Sequence, residues 1–316
     1  MQTHSLLLIA PRQLAWIAET LPRLKADEVL VQTKAGAISI GTELPQYLGT
    51  ARSTTLPHYP KMTGYESIGY VIACGSAIQR LHVGDRVVAF YGHRTHAIVP
   101  EAKAIVVPDG ISDAVALLAI LTCDVAKGIR KVNPKPDEAV LITGAGTIGL
   151  LAVFMLKVLG INNADVIEPL SERRTLALQL GVRSAEDPQT AASKSDRYTT
   201  GFECSSRNAA FELLQRKMVS GGRICILSDG NIEPLVLSSD FHEKELTIAG
   251  SSDGVDYQGH AKWYFNTVHT YAHILEQMFD YHTPADDLIS TFEKLASGII
   301  APIKVLVQYN ITRERK

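Results

Sequence analysis

Three features of the sequence predict an α/β fold in two domains, one of them a doubly wound parallel sheet. The chain has 316 residues, and single hydrophobic cores stop growing near roughly 250 to 300 residues, so two domains are expected. From about Ala116 to Gly250, short apolar runs alternate with stretches of helical spacing, the signature of a parallel sheet with helices on both faces. Inside that region a G-A-G-T-I-G pattern separates a strand from a helix, as in a βαβ nucleotide-binding unit.

The first 110 residues are punctuated differently. Short alternating strands, frequent glycines and prolines, and turn signals in "VGDRVV" and "VPDGIS" suggest a compact antiparallel β domain. The start, "MQTHSLLLIAPRQ", has a five-residue apolar run and no basic stretch before it. No signal peptide is expected, and the expected location is the cytoplasm. In "YGHRTHAIV", His93 and His96 are expected to alternate on one strand face, at least one of them partly exposed.

Residues 139–156, "AVLITGAGTIGLLAVFML", run for 18 residues without a charge, the length at which a membrane helix is suspected. Gly144, Gly146 and Gly149 instead divide the run into a strand, a tight turn and a helix of about 13 residues, so no membrane span is expected. A second strand, "ADVIE", ends in Glu168, 19 residues past Gly149. Each part of this unit has a physical task. Gly144 permits the turn, Gly146 lets the backbone approach a pyrophosphate, and Gly149 allows close helix packing. The N–H groups at the helix start, around Thr147 and Ile148, face anionic oxygens. Glu168 is expected to accept hydrogen bonds from ribose hydroxyls and to repel a 2′-phosphate, which favours NAD over NADP. Arg173 and Arg174 follow in "SERRTLALQLG". They either blunt that preference, with Arg173 as the candidate cofactor contact, or form a solvated first helical turn.

Further along, "DPQTAASKSDRYTTG" reads as a surface loop. The runs "TTGFECSS" and "GGRICILSDG" read as strands, and "NAAFELLQRKMV" as a helix with Phe211, Leu214 and Met218 on one face. Lys plus Arg number 31 against 33 Asp plus Glu, a net charge of -2; with no basic block to track phosphates, nucleic acid is not an expected partner. Cys74, Cys123, Cys204 and Cys225 form no CxxC pair, which fits reduced thiols in a cytosolic chain.

The ordered stretches "GAISIGTE", "TGYESIGYV", "VGDRVV", "LLAILTCDVAKG", "VLITGAGTIGLLAV" and "GGRICIL" resemble the medium-chain dehydrogenase/reductase superfamily across most of the chain. The resemblance implies a GroES-like β domain at residues 1–115, completed by residues 265–316. It implies a Rossmann NAD-binding domain at residues 116–264, a cleft between the two, and a homodimer or homotetramer. In zinc-dependent members a Cys-Gly-Thr-Asp stretch, a Gly-His-Glu stretch and a later Cys or Glu hold the catalytic metal. Here Ile40 replaces the first cysteine and Tyr65 the histidine, so that Cys123 alone matches a ligand outright, with Glu66 as an acidic neighbour. Zinc wants about four N, S or O ligands, and no metal site is expected. Rescue would fall to His58, His93, His96 or Asp124. The cysteine lobe that holds structural zinc in many relatives is also missing, since no cysteine lies between Cys74 and Cys123.

A zinc-free dehydrogenase must still polarise its substrate oxygen and move a proton. Tyr65 can do this as a neutral phenol, with Thr42, which matches the family's proton-relay hydroxyl, beside it and Glu43 or Glu66 tuning the environment. The other reading is that Tyr65 fills the space of a lost metal, its hydroxyl satisfied by a carboxylate. The expected activity is the NAD-dependent interconversion of a secondary alcohol and a carbonyl on a small-molecule substrate. Quinone or enoyl reduction, and a silent NAD-binding sensor or scaffold, are the alternatives.

Overall fold

The structure, a computed structural model, describes residues 1–52, 58–195, 197–228 and 233–310. The chain forms two compact units, residues 1–118 with 275–316, and residues 119–274. The second boundary lies ten residues beyond position 264/265 because the helix Tyr257–Thr267 and the turn after it pack within the second unit. Rings of Tyr264 and Tyr271 stand edge-on to Phe154 at 5.9 and 5.6 Å, the geometry aromatic quadrupoles prefer.

In the first unit the spine is the long strand Glu28–Ile38, which pairs antiparallel with Glu66–Cys74, His96–Pro100 and Val305–Gln308. Tyr281–Pro284, Arg86–Ala89 and Ile105–Val106 complete a seven-stranded sheet. A three-stranded sheet of Gln13–Thr20, Gln2–Ala10 and Lys61–Met62 stands beside it. Alternate residues of the spine, Val29 and Val31, enter a core with Val71, Val87, Ala97 and Val99, as the two-residue strand period requires. Near its end the spine is buried on both faces, because Ile38 joins a second core built on Leu6, Leu8, Tyr47 and Val305. Leu288, Phe292 and Leu295 cap that core from one face of the helix Leu288–Ala296, at spacings of four and three.

The second unit holds six parallel strands in the order Ser184–Glu186, Ala164–Ile167, Val140–Thr143, Tyr198–Glu203, Met218–Ile226, Thr247–Gly250. Numbered along the chain this is 3-2-1-4-5-6, the order of a dinucleotide-binding Rossmann sheet, whose switch point lies between its first and fourth strands. The uncharged run resolves into the strand Val140–Thr143 and the 12-residue helix Thr147–Val158. That helix is apolar along its length because residues 149–156 are all buried. No helix among the described residues is long and apolar enough to cross a membrane.

The segment expected to be a loop before Tyr198 differs: it contains the helix Pro188–Ser193. Asp187 caps it, accepting the Gln189 and Thr190 backbone N–H groups at 3.0 Å each, and Pro188 sits at the first helical position, where its missing N–H costs nothing. Met218 also departs from its expected helix: the helix ends at Lys217, and Met218 opens the next strand while sharing a core with Phe211 and Leu214.

Candidate functional site

In the second unit, the glycine-rich turn lies at the carboxyl end of the central strand. Gly144 has φ +90°, a left-handed conformation that glycine adopts at little cost. A Cβ on Gly149 would stand 1.9 Å from the Gly144 carbonyl oxygen, so only glycine lets the helix start this close to the turn. A Cβ on Gly146 would meet only Arg173 Nη1, at 4.0 Å. Gly146, Thr147 and Ile148 stay partly exposed, and Gly146 provides no side-chain cap to the helix Thr147–Val158. The positive end of the helix dipole at this start favours an anion. The two arginines divide their work. Arg173 reaches the turn, whereas Arg174 donates to the Glu168 and Pro169 carbonyls at 2.8 and 2.7 Å.

Glu168 does more than the sequence suggests. It is buried, and its two oxygens accept the Ala145 N–H at 2.7 Å and the Leu170 N–H at 3.0 Å, tying the glycine turn to the loop after the second strand. Glu203, which sequence reasoning missed, is its counterpart at the end of the fourth strand. Fully buried, it accepts the Ser205 and Ser206 N–H groups at 2.7 and 2.9 Å and also the Ser228 hydroxyl. The available signal was the same as for Glu168, an acid that ends an apolar strand.

In the first unit, Thr42, Tyr65 and Glu66 lie in one polar cluster. Gly64 has φ +73°, and a Cβ there would strike the His93 ring at 2.8 Å. The chain thus needs glycine to turn into the strand Glu66–Cys74. The Tyr65 hydroxyl donates to Ser39 Oγ at 2.6 Å, and Ser39 Oγ donates to Glu66 Oε1 at 2.9 Å. Lys304 Nζ binds the same Glu66 oxygen at 2.7 Å, and both charged side chains are all but fully buried. Burial, then the Glu66 charge, push the Tyr65 phenol well above its ordinary range, while the Ser39 and Thr42 hydroxyls pull it down. Glu66 is pushed up by its own burial and held back by Lys304.

Glu43 organises the same cluster from beneath. Its Oε1 accepts the Ser39 N–H at 2.8 Å, and its Oε2 accepts the Gly64 N–H at 2.9 Å and His93 Nε2–H at 3.1 Å. This corrects the expected pairing of the histidines. His96 opens the strand His96–Pro100, but His93 lies before it in a bend, fully buried against Glu43. Ser39 and Lys304 were not flagged by the sequence, although a lone lysine in the apolar run "PIKVLV" was a signal.

The residues do not fit a catalytic zinc. Ile40 opens the helix Ile40–Leu48 and packs against the core. The Cys123 thiol donates to the Val255 carbonyl at 3.3 Å, and burial pushes it up to about 11. The candidates for rescue are engaged or apart: His58 is exposed, His93 is held by Glu43, His96 Nδ1 lies 3.2 Å from Thr95 Oγ1, and Asp124 accepts Gly254 N–H and Tyr257 O–H at 2.7 Å each. Among the described residues, no three His, Cys, Asp or Glu are grouped to hold a metal.

Residues 25–109 match the alcohol dehydrogenase GroES-like domain. Over 94% of its length the chain is 26% identical to L-threonine 3-dehydrogenase of Vibrio cholerae, covering 97% of that protein. A Sinorhizobium meliloti 1021 protein, described provisionally as a zinc-binding dehydrogenase and solved with NADP, superposes with a TM-score of 0.82 at 19% identity, over 98% of this chain and 99% of that one. A short-chain alcohol dehydrogenase of Escherichia coli CFT073, solved with NADH, gives 0.81 at 21% identity, over 97% and 99%. These likenesses support the medium-chain dehydrogenase/reductase superfamily.

Proposed function

We propose that the chain is an NAD(H)-dependent oxidoreductase that interconverts a secondary alcohol and a carbonyl with Tyr65 as its acid–base group and without catalytic zinc. The observation that carries this reading is the Tyr65 phenol, half-buried, kept neutral, and hydrogen-bonded to Ser39 with Thr42 beside it. A neutral phenol can exchange a proton with a substrate oxygen across the neutral pH range, which supplies the polarisation that a metal would otherwise give. The likeness to a dehydrogenase that acts at carbon 3 of L-threonine supports a secondary alcohol as substrate class. The helix start, the glycine turn and Arg173 would hold the cofactor pyrophosphate, and the Glu168 carboxylate at the strand end supports NAD(H) over NADP(H). Bound NAD(H) supplies the hydride acceptor or donor. The reading includes action in the cytoplasm as a homodimer or homotetramer.

The test is turnover on a panel of secondary alcohols and ketones with NAD(H) and NADP(H), with and without a strong chelator. We expect NAD(H)-linked turnover that survives the chelator. Tyr65→Phe keeps the ring and deletes the hydroxyl, and should lower kcat by about a hundredfold to ten-thousandfold, the usual worth of a placed acid or base. Unchanged turnover in Tyr65→Phe would leave the tyrosine as packing only.

A further inference from the structure

Ser39 stands at the N-cap of the helix Ile40–Leu48, where a serine hydroxyl ordinarily accepts an N–H of the first turn. Its side chain makes no cap bond. The hydroxyl instead accepts Tyr65 O–H at 2.6 Å and donates to Glu66 Oε1 at 2.9 Å. A local preference given up at a buried position points to function. At the far end, Glu66 Oε1 is bound by Ser39 and Lys304, while Glu66 Oε2 is buried with no hydrogen-bond partner. Tyr65 gives its one proton to Ser39, so toward a further partner, as toward the Thr42 hydroxyl, it acts through an oxygen lone pair.

We propose that Tyr65, Ser39 and Glu66 form a proton relay in which Glu66 stores the proton beside Lys304, and that Tyr65 meets its substrate as the acceptor of an alcohol hydroxyl. The proposal rests on the oxidoreductase reading above. In oxidation the substrate O–H bond breaks and its proton passes to Tyr65 Oη. The phenolic proton moves to Ser39 Oγ, and the serine proton moves to Glu66. Tyr65 and Ser39 each end with one proton, Glu66 changes from carboxylate to acid, and the electron pair of the carbinol C–H bond leaves as hydride to NAD⁺. Carbonyl reduction runs the same transfers backwards. Burial favours the neutral acid at Glu66 and Lys304 opposes it.

Ser39→Ala cuts the relay, and Ser39→Thr, with a hydroxyl in the same place, restores it. Each variant is compared with wild type by nuclear magnetic resonance of the Tyr65 hydroxyl proton, by cofactor affinity, and by the pH profile of alcohol oxidation. We expect Ser39→Ala to lose the slowly exchanging Tyr65 proton signal, bind cofactor as wild type does, drop kcat about a hundredfold with little change in KM, and lose the acid limb of the profile. Ser39→Thr should recover signal, rate and limb. Turnover and pH profile of wild-type form in Ser39→Ala would overturn the relay alone. Absence of any turnover in the wild-type protein would overturn the oxidoreductase reading and the relay with it.

Discussion

The Glu66–Lys304 pair shows how one residue can hold a site together. Two opposite charges are buried 2.7 Å apart, and removing one partner of such a pair costs about 3–5 kcal/mol because the other charge is left without compensation. Lys304→Met should therefore destabilise by about that amount in urea unfolding, whereas adding Glu66→Leu should recover most of the loss, since a buried pair replaced by apolar groups is often neutral. A single variant as stable as wild type would mean that Glu66 takes up a proton when its partner goes. These partnerships explain what the sequence could and could not reveal. Tyr65 and Glu66 were legible as neighbours in one motif, but Ser39 joins them from 27 residues away and Lys304 from 238. No local pattern encodes such contacts. They arise when the spine strand Glu28–Ile38 pairs on one edge with Glu66–Cys74 and on the other with Val305–Gln308.

Among the elements, the strand–turn–helix at Val140–Val158 was the most legible, because its requirements are local: an apolar run, glycines at fixed offsets, and an acid at the next strand end. The helix Pro188–Ser193 was overlooked although its Asp-Pro start is equally local, since a six-residue helix offers too few positions for a periodic signal. The structure also separates glycines that look alike in sequence. At Gly149 an alanine Cβ would fall 1.9 Å from the Gly144 carbonyl oxygen, so the helix start must shift; at Gly146 it would enter open space, 4.0 Å from Arg173. Gly149→Ala should therefore cost both stability, by about 1–3 kcal/mol as overpacking does, and cofactor affinity. Gly146→Ala should leave the urea midpoint unchanged and weaken NAD(H) about tenfold or more, a loss of at least 1.4 kcal/mol, because the methyl occupies the backbone's approach to the pyrophosphate. Equal affinity in wild type and Gly146→Ala, measured by calorimetry, would move the phosphates away from this turn.

At the scale of the whole molecule, two units with separate cores need not unfold together, and stability at acid pH belongs to each unit separately. His260, in the second unit, is buried; its Nε2 lies 3.0 Å from Thr122 Oγ1, and the Thr122 hydroxyl donates to the Ala119 carbonyl. Threonine thus accepts, and the imidazole donates from Nε2. Burial, then the Arg130 charge, lowers this histidine to about 4. The sign follows from linkage: a histidine whose folded value lies below its unfolded value near 6.5 contributes stability that is present above about pH 6.5 and lost as pH falls through the folded value. The loss is about 3 kcal/mol when complete. In the other unit Glu66 works in the opposite sense, because its raised value makes protonation stabilising as pH falls. The chain's two tryptophans separate these effects, for Trp16 lies in the first unit and Trp263 in the second, its ring 5.5 Å from His260. Urea unfolding of Trp16→Phe, read by Trp263 fluorescence, should lose midpoint steadily between pH 6.5 and 4. Adding His260→Gln, which can still donate to Thr122 but cannot titrate, should flatten that slope. An unchanged slope would assign the acid sensitivity of this unit to its paired carboxylates, of which Asp165, held low by Arg183, Tyr198 and Ser184 despite its burial, is the first to examine.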